Sequence, residues 1–141
     1  MESTLGGIIA FSESVGRAET KADLENEEEF LAQKIQYEIG RAHQIDFPKL
    51  NESGTEIDLV SDTNTLIAIG FFDNSLSIAR GTNSPIPFSS TFVKVTNGYF
   101  TYLENNVSSS SSSLHAEFDL SEKTVRGETV SEHFRVISFL P

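Results

Sequence analysis

A single helical pattern runs from Ile8 to about Ile45, and after Pro48 the chain reads as β-strand almost to its end. Apolar or small residues recur at Phe11, Val15, Ala18 and Ala22, then at Leu24, Leu31, Ile35, Ile39, Ala42 and Ile45. Most are three or four apart, as one face of a helix requires. Only Gly16 interrupts. Thirty-eight residues at about 1.5 Å each make a rod of roughly 57 Å, whereas a compact chain of 141 residues has a radius of gyration of only about 14 Å. One domain therefore cannot cover the whole rod. The bulky stripe of Leu24, Leu31, Ile35, Ile39 and Ile45 lies in the second half, and its burial contributes roughly 8 to 15 kcal/mol before entropy is subtracted. The first half carries mostly Ala, Ser and Gly around Phe11 and Val15. Residues 1–19 are thus expected to project, and residues 20–141 to form a globular head with its helix ending at about residue 46.

Composition sets further limits. One domain is the natural number at this length, and 38% apolar residues suffice for one core. With no cysteine, disulfide staples, thiolate metal sites and a Cys nucleophile are excluded. A formal charge of −11 argues against direct nucleic-acid binding, which needs surplus Lys and Arg. The uncharged stretch from Ser3 to Ser12 has ten residues, about half of a bilayer span, and lacks a basic flank and a cleavage site. As written, the chain is expected to be soluble. Glu13, Glu19, Asp23, Glu25 and Glu27 to Glu29 crowd the middle of the rod against Arg17 and Lys21. They read as a solvated face, with an electrostatic contact to a neighbouring subunit as the alternative. The segment Asp46-Phe47-Pro48 is expected to stop the helix.

Six strands are predicted, at Glu56 to Val60, Thr65 to Phe72, Ser75 to Arg80, Thr91 to Glu104, Leu114 to Leu120 and Glu128 to Leu140. Asp73-Asn74 reads as a tight hairpin turn, and consecutive hairpins imply an antiparallel sheet. Asn97-Gly98 suggests a bulge in the long strand. The six serines Ser108 to Ser113 read as an unpacked loop tip.

Catalytic constellations are poor. The three histidines His43, His115 and His133 stand without an HExxH, GxSxG or phosphate-loop motif. His115 and His133 fall on adjacent predicted strands near Glu117 and Glu132, a set that could hold zinc, although chance cross-strand neighbours explain it more cheaply. Asp58, Asp62, Asn64 and Asp73 offer oxygen ligands of the kind calcium takes, but match no EF-hand spacing and read as turn residues. No enzyme activity, metal or cofactor is expected. The sequons at Asn51 and Asn106 are weak three-residue matches.

The run from Leu24 to Ile39, LENEEEFLAQKIQYEI, followed by Ala42 and the segment Ile45 to Pro48, resembles the helix of minor type IV pilins and pseudopilins. Leu76 to Gly81 resembles their L-x-x-x-R-G segment, Pro87 to Ser90 their P-L-x-S, and Val93 to Phe100 their V-x-V-x-N-L-x-F. The resemblance covers residues 8 to 141 and lies closest to the J-class pseudopilin and W-class minor pilin groups. It implies an α+β, pilin-like fold: a long N-terminal α-helix packed on an antiparallel β-sheet region. Gly98 departs from it, standing where the resemblance favours Leu. The family's basic leader and its apolar segment of about twenty residues are not in this sequence, which is expected to be a fragment beginning after the transmembrane half-helix.

The function implied by the resemblance is that of a structural minor subunit in a type IV pilus or type II secretion-like filament, acting in assembly or tip formation. Its partners would be other pilin or pseudopilin subunits. Phe11, Val15, Ala18 and Ala22 are expected to face neighbouring helices, and Leu24, Leu31, Ile35 and Ile39 to hold the sheet. The full-length form would be a single-pass protein of the cytoplasmic membrane with its head outside, and later part of an extracellular or periplasmic filament. Two alternatives remain at this stage: a soluble β-barrel module binding a small ligand in an apolar cavity, and an enzyme using His115 and His133.

Overall fold

The computed structural model describes residues 2–104 and 112–140, with side chains described from Gly16 onward. One helix, α1 (Glu2–Gly40), is followed by β1 (Ala42–Phe47), β2 (Ser53–Gly54), β3 (Glu56–Ser61), β4 (Leu66–Phe72) and β5 (Ser75–Arg80). The remaining strands are β6 (Ile86–Pro87), β7 (Lys94–Glu104), β8 (Ser112–Lys123) and β9 (Thr129–Phe139). They form two antiparallel sheets, one ordered β1-β3-β4-β5-β6 and the other β2-β7-β8-β9.

The expected α+β, pilin-like architecture, a long N-terminal helix on an antiparallel β-sheet region, is thereby corrected. The fold is mostly β, in two antiparallel sheets on which one helix packs, rather than a long pilin-like helix on one sheet region. Among the described side chains of α1, burial begins at Thr20 and ends at Ile39. Period-two alternation identifies a strand but not its sheet; here the sheets separate where the chain leaves β1, pairs briefly through β2 with β7, and returns as β3.

The helix end is corrected too. α1 stops at Gly40, not near residue 46, and Ala42 to Phe47 is an edge strand. Ala42 and Ile45 suit both readings, because a spacing of three continues a helical face while β-bulges at Ala42/Gln44 and Ile45/Phe47 break the strict alternation of β1. Arg41 N–H turns back to the Glu38 carbonyl at 3.3 Å, and Pro48 acts after the strand rather than after the helix.

The core lies where α1 meets β8 and β9 and where β4 crosses the second sheet. Leu24, Leu31 and Ile39 are wholly buried, with Ile35 beside them. On β8, Leu114, Ala116, Phe118 and Leu120 alternate inward as period two requires. Phe71 of β4 reaches across to Phe100 of β7 and Phe118 of β8, with ring centroids 4.9 and 5.8 Å apart, distances at which aromatic pairs attract.

Three turn expectations meet the structure differently. Asp73 and Asn74 both have positive φ, 53° and 59°, the pair of left-handed residues that a two-residue hairpin needs. Asn97, at φ 52°, lies in a register break between Thr96 and Tyr99. Of the serine run expected to be a loop tip, Ser112 and Ser113 instead belong to β8, with Ser113 buried, and Asn106 and Ser108 to Ser111 lie outside the described residues.

Candidate functional site

Opposite its buried stripe, α1 presents an exposed face on which small, amide and aromatic side chains stand beside the acidic Glu19 and Glu29. Ala18, Ala22, Asn26, Phe30, Gln33 and Tyr37 are all exposed, and their spacings of four, four, four, three and four keep them on one side of the helix. Phe30 is 52% and Tyr37 55% exposed. Tyr37 is held in place by its neighbours: Arg41 Nη1 donates to its hydroxyl at 2.9 Å, and the Arg41 guanidinium and Lys34 ammonium stand 5.3 and 5.9 Å from its ring centroid, within cation–π range.

Of the residues expected to face neighbouring helices, Ala18 and Ala22 lie on this face, while the side chains of Phe11 and Val15 lie outside the described ones. Leu24, Leu31, Ile35 and Ile39 are core residues on the other side. Phe30 and Tyr37 escaped the sequence reading because an aromatic pair seven apart on a helix looks like core until its angle to the Leu/Ile stripe is known. That angle was available as a signal, since Phe30 precedes Leu31 by about 100° of helical turn. The helix is pinned at its other flank by Arg17 to Glu128 at 2.6 Å and Lys21 to Glu132 at 3.5 Å.

A second cluster occupies the outer face of the four-stranded sheet. The register sets Tyr99, Glu117 and Arg135 in one cross-strand row and Asp119 and His133 in the next. His133 Nδ1 lies 2.6 Å from Asp119 and its Nε2 3.5 Å from Glu117. Arg135 Nε lies 3.3 Å from Glu117, to which the Tyr99 hydroxyl also donates. Asn97 Nδ2 donates to Asp119 at 2.9 Å. The Asp119 carboxylate at its ring raises the His133 pKa, and the Asn97 amide together with His133 lowers that of Asp119. This is a hydrogen-bonded network on the sheet surface.

The histidines do not converge. His115 bonds Ser113 Oγ through Nε2 at 3.1 Å and pairs across the ladder with Ile137, whereas His133 pairs with Asp119. Burial lowers the His115 pKa. His43 is exposed on β1. Asp62 is engaged by Arg41 at 3.2 Å, and Glu56, bonded to Asp58, has its pKa raised to about 7. Among the described residues no group of His, Asp and Glu is arranged to hold a metal ion.

Among the described residues the sheets do not close into a barrel. Both are open-ended, and Phe71, Phe100, Phe118 and the helix stripe fill the space between them. Clefts of about 250 and 310 Å³ lie on the outer surface of the five-stranded sheet around Ala68 and Ala79. Among the described residues no helix is long and apolar enough to cross a membrane. Comparison of the chain with protein-family models, with curated proteins and with solved structures yields no match.

Proposed function

We propose that the chain is a structural minor subunit of a type IV pilus or type II secretion-like filament, acting in filament assembly or tip formation through contacts along α1. The observation that carries this reading is the exposed helix face of Ala18, Ala22, Asn26, Phe30, Gln33 and Tyr37, set opposite the stripe that holds the helix to the head. A helix fixed on one side and carrying exposed Phe30 and Tyr37 on the other is suited to packing against a second helix. The motif residues by which the sequence resembles minor pilins and pseudopilins support the same reading. Leu76, Val93, Val95 and Phe100 are core, and Gly81 takes φ 61°.

In this reading the partners are other pilin or pseudopilin subunits. The full-length protein is a single-pass protein of the cytoplasmic membrane, its head outside, before entering the filament. The experiment that tests it is sequencing of the native gene upstream of the Ile8 codon, together with immunodetection of the protein in sheared filaments. A basic leader ending in glycine, then about twenty apolar residues, is the expected result. A natural start at Met1 with no protein in filaments would overturn it.

A further inference from the structure

Among the described residues each sheet ends on two edge strands, β1 and β6 in one and β2 and β9 in the other. The first three are blunted. β1 carries register breaks at Ala42/Gln44 and Ile45/Phe47, β6 has two residues, one of them Pro87, and β2 has two. Bulges, proline and short length are the devices that keep sheet edges from pairing. β9 has none of them. Its 11 residues hold one unbroken register along β8, from Thr129 opposite Lys123 to Phe139 opposite Ser113.

The ladder fixes which backbone groups of β9 face outward. At its two ends, Leu140 N–H donates to the Ser112 carbonyl at 3.1 Å and Thr124 N–H to the Glu128 carbonyl at 2.7 Å. The even-numbered residues of β9 therefore exchange hydrogen bonds with β8, and the N–H and C=O groups of Ser131, His133, Arg135 and Ile137 point away from it. Gln36 agrees with this phase, since its Nε2 donates to the Ile137 carbonyl from outside the ladder at 3.3 Å. The backbone groups of Ser131, His133 and Arg135 have no such cap among the described residues.

The side chains of these four residues are exposed on the outer face. There the cross-strand rows run from Glu117 to Arg135 and from Asp119 to His133, so both rows end at the free edge on a basic side chain. Arg135 bonds Glu117 through Nε, and the rest of its guanidinium fork remains for another acceptor.

We infer that β9 receives an extended segment of a different protein chain, paired antiparallel along Ser131 to Ile137, with carboxylates opposite Arg135 and His133 and an apolar side chain opposite Ile137. In strand addition of this kind the main-chain hydrogen bonds give affinity and the alternate side chains give specificity. Opposite charges facing one another across a strand pair attract, and like charges repel. A second copy of β9 is thereby the wrong occupant. In the antiparallel register that overlaps the two strands fully, with Thr129 opposite Phe139, each His133 faces the other copy's Arg135. The pairing does not depend on the chain being a filament subunit.

The test is titration of the full, isotope-labelled chain with acetyl-Val-Thr-Glu-Thr-Glu-Thr-Val-amide at pH 6, where the raised pKa of His133 keeps its ring charged, followed by amide NMR shifts. Saturable shifts are expected at Ser131, His133, Arg135 and Ile137. A peptide N-methylated at both glutamates loses the donors that face β9 while keeping its charge, and should bind at least fivefold more weakly. A peptide with lysine in place of both glutamates should not bind. Arg135→Gln should weaken the glutamate peptide at least threefold, with its melting temperature as the check on folding; the N-methylated peptide makes the same test on the unaltered protein. Absence of saturable shifts, shifts centred outside β9, equal binding of either control peptide, or sedimentation showing a self-dimer that Ser131→Pro dissolves would overturn the inference.

Discussion

Glu38 on α1 is wholly buried, and its Oε1 accepts from Nη2 of Arg80 at the end of β5, 42 residues later in the chain. Lys34 Nζ stands 3.5 Å from the same oxygen. The helix, which otherwise packs on β8 and β9 of one sheet, is thereby tied by charge to the other. Arg80 is also the arginine of the Leu76 to Gly81 run.

Arg80→Ala should destabilise the head by about 2 kcal/mol, the cost of stranding a buried carboxylate, discounted because Arg80 is partly exposed and Lys34 remains. The combination of Glu38→Leu with Arg80→Met should recover most of that loss, since replacing both members of a buried pair by apolar groups is often neutral. Urea unfolding of the two variants checks both.

Gly98 and Phe71 form a second coupled pair. A Cβ at position 98 would clash with Cδ1, Cγ and Cε1 of the Phe71 ring, which packs on Phe100 and Phe118. Where the resembled family favours Leu, this chain fills the space from the opposite sheet. Gly98→Leu should cost roughly 3 kcal/mol by overpacking, and Phe71→Ala a similar amount by leaving a cavity. The double variant should be more stable than their sum predicts, and a double-mutant cycle measures that coupling.

His133 should titrate above its ordinary value of 6.5, because Asp119 and then Glu117 favour its charged form. With the folded pKa raised, its contribution to stability is fully present below pH 6.5 and fades as pH rises through the folded value. Asp119 works in the opposite sense: its lowered pKa gives stability above about pH 3.8 that is lost on acidification. NMR titration of the His133 ring, repeated in Asp119→Asn, should show the histidine pKa returning toward 6.5.

Glu56 should hold its proton to about pH 7 beside Asp58. A carboxyl whose pKa is raised from 4.5 to about 7 on folding loses stability as pH climbs through that interval. Glu56→Gln should therefore flatten the pH dependence between these limits and leave the variant more stable than the parent at pH 8. Melting temperatures across pH 4 to 8 test this.

Adjacent helix residues separate packing from the proposed assembly. Leu31 is wholly buried and Phe30 is 52% exposed. Leu31→Ala should cost about 3 kcal/mol, whereas Phe30→Lys should change stability by less than about 0.5 kcal/mol yet reduce incorporation into filaments. Denaturation and filament immunodetection read the two effects independently.

By itself the sequence determined the elements that depend on local pattern. Leu24, Leu31, Ile35 and Ile39 marked the buried helix stripe because a 3.6-residue period is a property of the helix alone. The alternation of Leu114 to Leu120 marked the inner face of β8, and Asp73-Asn74 the hairpin, for similarly local reasons. Tertiary structure alone decided which strands share a sheet, that Ala42 and Ile45 belong to an edge strand rather than the helix, and that the strands form two sheets. It also joined Glu38 to Arg80 and Phe71 to Gly98. Such pairings depend on how elements 27 and 42 residues apart are brought together, and no local period encodes that distance. The exposed helix face was half legible: Ala18 and Ala22 carried the period, but Phe30 and Tyr37 became surface only once the core had claimed the opposite side.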